Sequence, residues 1–95
     1  MSCLHTINKT PHVQLLESCI DVINKEDAVI FIEDGVYHCI HPRVIEKLSR
    51  QNECYGLKED LLARGITEPV ENLKVVNYKK FVDLCCTYEK IISWF

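Results

Sequence analysis

Glu53-Cys54-Tyr55-Gly56-Leu57-Lys58-Glu59-Asp60-Leu61-Leu62-Ala63-Arg64-Gly65 reads as the end of a buried strand, a tight turn and a short helix closed by glycine. Glu59 and Asp60 fall in the first helical turn, where free backbone N–H groups favour carboxylates. Arg64 falls in the last turn, where free carbonyls favour a cation. Gly65 suits the left-handed position just past the helix, and Ile66 can fold back over the last turn. Such a unit sets a loop at the C-terminal edge of a parallel sheet, where ligands of open α/β folds bind.

Working outward, Ala28-Val29-Ile30-Phe31-Ile32 is a continuous apolar run, the pattern of a strand covered on both faces. Glu33-Asp34-Gly35 ends it. Val36 to His41 predicts a short helical segment, which Pro42 interrupts or restarts, and Val44, Ile45 and Leu48 continue at helical spacing to about Arg50. Upstream, Cys3 to Ile7 is a short first strand. Thr10 and Pro11 then start a helix to about Asn24. Val13, Leu16, Ile20 and Ile23 form its apolar stripe, with Leu15, Cys19 and Val22 beside it. Downstream, Leu73 to Val76 is the fourth strand, and Asn77 caps a last helix over Tyr78 to Tyr88. Its apolar set is Tyr78, Phe81, Val82, Leu84, Cys85 and Tyr88. Ile91 to Phe95 is a terminal strand or an extended tail. The order βαβαβαβαβ predicts one α/β domain over residues 1–95 with a mainly parallel five-stranded sheet and right-handed crossovers.

The net charge of −3, with acidic and basic residues mixed along the chain, gives no electrostatic footprint for nucleic acid. No apolar run is long enough to span a bilayer, and Met1 to His5 lacks the pattern of a secretory signal, so a cytoplasmic place is expected. The three glycines, at 35, 56 and 65, cannot make a dinucleotide fingerprint or a Walker loop. No bound cofactor is expected.

Six cysteines, at 3, 19, 39, 54, 85 and 86, include no C-x-x-C pair. Each reads first as a small buried hydrophobe in a reducing compartment. His38-Cys39-x-His41 is the densest set of possible metal ligands, with His5 or His12 as further donors. Zinc needs three or four ligands at set spacing, so surface histidines are the simpler reading and no metal is assigned. A stand-alone cysteine- or metal-dependent enzyme built on this cluster is the alternative of another class. Cys19 has a sharper case. It lies at the border of the first helix's stripe, and a half-exposed thiol can exchange sulfur. Its neighbours Glu17 and Asp21 would raise its pKa.

Five stretches in order resemble the DsrH/TusB family of sulfur-relay subunits, a resemblance that covers essentially the whole chain. They are Leu4 to Pro11, Glu33 to Tyr37, Tyr55 to Gly65 (Tyr55-Gly56-Leu57, Asp60-Leu61, Ala63-Arg64-Gly65), Asn77 to Leu84 (Asn77-Tyr78, Phe81-Val82-Asp83-Leu84), and Trp94. The resemblance implies a small flavodoxin-like, three-layer fold of the DsrE type. It implies a heterohexamer with DsrE/TusD-like and DsrF/TusC-like subunits that passes persulfide sulfur to a DsrC/TusE-like carrier. The pathway expected is 2-thiolation of the tRNA wobble uridine, with dissimilatory sulfur oxidation as the alternative. DsrH-like members are similar to Leu16-Glu17-Ser18-Cys19, which makes Cys19 the candidate persulfide carrier, whereas some TusB-like members have an apolar residue there. Leu57 stands where a DsrE/TusD-type subunit has its sulfur-accepting cysteine. The resemblance therefore implies a subunit whose main role is assembly. The chain alone is expected to self-associate, because small members of this fold bury apolar faces between subunits.

Overall fold

The computed structural model describes residues 2–11 and 15–95. The elements are β1 (Cys3–Ile7), α1 (Leu15–Val22), β2 (Ala28–Phe31), a 3-10 helix (Glu33–Ile40), α2 (Pro42–Ser49), β3 (Glu53–Leu57), α3 (Lys58–Ala63), β4 (Lys74–Val76), α4 (Tyr78–Thr87) and β5 (Lys90–Trp94). The strand order is β4-β3-β2-β1-β5, and every neighbouring pair is parallel. The sheet is thus wholly parallel, and the C-terminal segment is a strand paired with β1 rather than a tail. The beginning of the expected first helix, with Val13, lies outside the described residues.

The chain steps outward from β1 to β4, then α4 carries it back past β1 to β5. Right-handed crossovers that reverse direction put their helices on opposite faces. Two apolar clusters follow. Ile7, Val29, Phe31 and Cys54 point to the face covered by Leu16 and Cys19 of α1, Val36 and Cys39 of the 3-10 helix, Ile45 and Leu48 of α2 and Leu61 of α3. Leu4, Ala28, Ile30, Tyr55 and Val76 point to the other face, under Leu84 of α4, with Phe81, Cys85 and Tyr88 packed against them. Alternate strand residues serve opposite cores, which is why the Ala28 run is apolar throughout.

Three local readings hold. Asn77 Oδ1 accepts from the Lys80 N–H at 2.9 Å as the cap of α4. Gly65, at φ 70, closes α3. The Ile66 N–H donates to the Leu61 carbonyl (2.9 Å) and the Gly65 N–H to that of Leu62 (3.1 Å), with Ile66 buried, a Schellman closure. Two readings need correction. Tyr78 and Val82, expected on the apolar face of α4, are exposed. The helical segment expected at Val36 begins earlier, at Glu33, and is a 3-10 helix. The cause is close packing at the end of β2. The Ile32 N–H donates to the Ile7 carbonyl (3.0 Å), and the Gly35 N–H donates to that of Ile32 (2.8 Å). Glu33 takes φ 48.

Candidate functional site

At the C-terminal edge of the sheet, α3 holds the loop that follows β2. Asp60 Oδ2 accepts from the Glu33 N–H at 2.6 Å, and Arg64 Nε donates to Asp34 Oδ1 at 2.9 Å. Arg64 also lies 3.8 Å from Asp60 Oδ1. This over-determination keeps Glu33 in a left-handed conformation that a residue with a side chain rarely adopts. The charged residues of the opening stretch therefore act as a clamp between α3 and the 3-10 helix. Leu57, at the end of β3, is 2% exposed and offers no nucleophile.

Four thiols, Cys3, Cys19, Cys39 and Cys54, are buried, Cys85 is half-buried and Cys86 is exposed. The expected position of Cys19 at the border of α1 is corrected: it is 0% exposed. Burial pushes its thiol up to about 12, and the carboxylate of Asp27 adds to the shift; Glu17 and Asp21 are not the cause. Burial likewise pushes Cys39 up to about 12, with Cys54 adding to it, and Cys54 up to about 12, with Glu53 and Cys19 adding to it. A thiol in this setting is protonated at neutral pH and packs as an apolar group.

The two histidines of the His38/Cys39/His41 cluster differ in burial. His41 is exposed, whereas His38, expected on the surface, is 5% exposed. Its ring packs on Phe31 with centroids 5.2 Å apart. Burial lowers the His38 pKa; the Lys9 carbonyl facing the ring acts against that, and His41 reinforces it. Among the described residues no three His, Cys, Asp or Glu side chains gather as a metal site. His38 and His41 both line a cavity of about 700 Å3 between α1 and α2, with Leu16, Glu17 and Ile20 on one wall and Pro42, Arg43, Val44 and Lys47 on the other. An apolar cavity of this size with a few convergent polar groups is the ordinary form of a binding site.

A second buried constellation joins residues far apart in the chain. Asp27, which precedes β2, accepts from His5 Nε2 at 2.8 Å, from the Cys3 N–H at 3.0 Å and from the Asn24 N–H at 3.1 Å. Trp94 Nε1 donates to His5 Nδ1 at 3.0 Å. An indole N–H can only donate, so Nδ1 is the acceptor and the ring proton sits on Nε2, facing Asp27. Asn52 Nδ2 ties the same turn to β3 by donating to the carbonyls of Asn24 (2.8 Å) and Asp27 (3.0 Å). Burial by itself would raise the Asp27 pKa; the bonds from His5, Asn24 and Cys3 outweigh it and hold the carboxyl below its usual value. The network gives β5 a fixed register on β1, and Asp27 and Asn52 border a second cavity of about 530 Å3.

These two shifts set the acid response. Folded His38 protonates less readily than unfolded histidine, so its contribution is complete above about pH 6.5 and declines as pH falls below it. Folded Asp27 keeps its charge better than unfolded aspartate, so a second contribution is lost as pH falls below about 3.8. Stability should therefore begin to drop as pH falls below about 6.5, as read by urea midpoints. The substitution His38→Gln should flatten that first step, and an unchanged step would contradict its assignment.

Among the described residues no helix is long and apolar enough to cross a membrane. Residues 9–91 match the family model described as DsrH like protein. Protein TusB of Pectobacterium carotovorum subsp. carotovorum (strain PC1) is 30% identical over 94 residues, covering 96% of this chain and 99% of that one. Protein TusB of Escherichia coli (strain K12) is 28% identical over the same shares, as is Protein TusB of Buchnera aphidicola subsp. Baizongia pistaciae (strain Bp). The crystal structure of the ychN protein from E. coli superposes with a TM-score of 0.75 over 99% of this chain and 100% of that one, at 11% identity, a likeness of fold. The expected α/β fold with a five-stranded parallel sheet and the expected family are thus both found. The chain is a member of the DsrH/TusB family.

Proposed function

We propose that the chain is an assembly subunit of a cytoplasmic sulfur-relay complex. In that complex it joins DsrE/TusD-like and DsrF/TusC-like homologues in a heterohexamer that passes persulfide sulfur to a DsrC/TusE-like carrier. The end product is the 2-thiolated wobble uridine of tRNA. The observation that carries this reading is the full-length match to proteins called TusB, joined to a sheet edge that keeps the clamp of Asp60 and Arg64 but has Leu57 in place of a thiol. Surface chemistry supports it. Tyr78, Val82, Ile91, Ile92 and Phe95 are exposed on α4, on β5 and at the C-terminus, and side chains of this kind favour burial against another subunit.

Cys19 as a secondary sulfur site fits this reading only if α1 separates from the sheet, because the thiol is buried and protonated where it stands. Co-expression with the two homologues tests assembly. The three chains are expected to co-purify as one complex, and the chain alone to self-associate through the same apolar side chains. A chain that stays a monodisperse monomer at micromolar concentration and ignores both homologues would sink the reading.

A further inference from the structure

A relay subunit needs two kinds of contact: a permanent one with its fellow subunits and a transient one with the carrier that leaves with the sulfur. The chain offers two surfaces of different chemistry. The exposed side chains of α4 and β5 are aromatic and aliphatic, as in permanent interfaces. The cavity between α1 and α2 has an apolar floor of Leu16, Ile20 and Val44, while its rim carries Arg43 and Lys47. These two cations are one helical turn apart on α2 and so lie on the same side of it. Neither has an ion-pair partner among the described residues. In a chain of net charge −3 they reverse the local sign, with Glu17 the one acid on the cavity wall among the described residues. An apolar centre with unpaired cations along one side suits an interface that forms fast and separates again. His38 adds a fixed polar point. One ring nitrogen faces the Lys9 carbonyl, and the other has no partner among the described residues.

We propose that this cavity is the docking site for the sulfur carrier, and that it receives an acidic segment of that protein bearing apolar anchors. The carboxylates lie against Arg43 and Lys47, the anchors fill the floor, and a donor on the segment meets the second ring nitrogen of His38. This deepens the relay reading and rests on it.

Arg43 and Lys47 are exposed, so the double substitution Arg43→Glu with Lys47→Glu leaves the core untouched. The test measures carrier binding to the complex assembled with both homologous subunits, at low and at physiological salt. The double variant should assemble as the wild type does, bind the carrier about tenfold more weakly at low salt, and lose most of the salt dependence. A photoreactive residue in place of Val44 should capture the carrier. Unchanged carrier affinity in the double variant overturns the site. So does capture of a homologous subunit, or failure of the double variant to assemble, since either makes the cavity a subunit interface. A wild-type complex that ignores the carrier is a separate failure, and it removes the relay reading together with the site.

Discussion

Gly35→Ala is expected to lower the stability of the chain by about 3 kcal/mol, a large loss for one added methyl. A Cβ on Gly35 would lie 1.9 Å from the Ile7 carbonyl oxygen and 2.7 Å from its carbon. Both atoms are backbone, so no rotamer change relieves the overlap. That oxygen also accepts from the Ile32 N–H at 3.0 Å, so moving it breaks the last bond between the ends of β1 and β2. The 3-10 helix would have to lift away, exposing Val36, His38 and Cys39 on its inner side. Gly65→Ala is the control. Nothing lies within 4 Å of the added Cβ, and only the left-handed φ of 70 opposes it. That change should cost about 1 kcal/mol. Urea unfolding of the two variants reads the difference. Equal losses would show that close packing, not backbone conformation, has been misjudged at Gly35.

Asp27→Ala is expected to cost about 3–5 kcal/mol, because it strips three donors of their acceptor inside the protein. His5 Nε2, the Cys3 N–H and the Asn24 N–H would all be left unpaired. His5 has no escape through its other tautomer. Moving the proton to Nδ1 would set it against the Trp94 N–H, which can only donate. Asp27→Asn should be milder. With its amide oxygen toward His5 and Asn24, only the Cys3 N–H faces a donor, a loss of about 1–2 kcal/mol. The tryptophan is single, so its fluorescence reports the network directly. Asp27→Ala should shift that emission under native conditions. A variant as stable as the wild type, with unshifted emission, would contradict the network.

What the residues disclosed in advance follows from how local each feature is. The closure of α3 by Gly65 and Ile66, and the cap of α4 at Asn77, involve neighbours in sequence and could be read there. The apolar run at Ala28 marked a doubly covered strand because covering both faces removes the alternation of polar residues. The burial of His38 was hidden by the kind of helix. In a 3-10 helix the repeat is three residues, so Gly35 with His38 and Val36 with Cys39 form two inward rows that an α-helical period does not give. The Asp27, His5 and Trp94 network was out of reach for another reason. Its bonds span 22 and 89 residues, and they exist only because β5 returns to the side of β1. Cys19 sat at the edge of a helical stripe, where a small rotation of α1 separates a surface thiol from a core one. The structure places it in the core.

In the proposed relay, this chain supplies the frame of the complex and not its reacting thiol. The most direct measurement is to load the assembled complex with a persulfide donor, digest it, and locate the added sulfur by mass. Sulfur is expected on the DsrE/TusD-like subunit and none on Cys19, Cys39 or Cys54 of this chain, whose thiols burial pushes up to about 12. A sulfur atom added to Cys19 in the intact complex would contradict that expectation and make α1 a helix that opens.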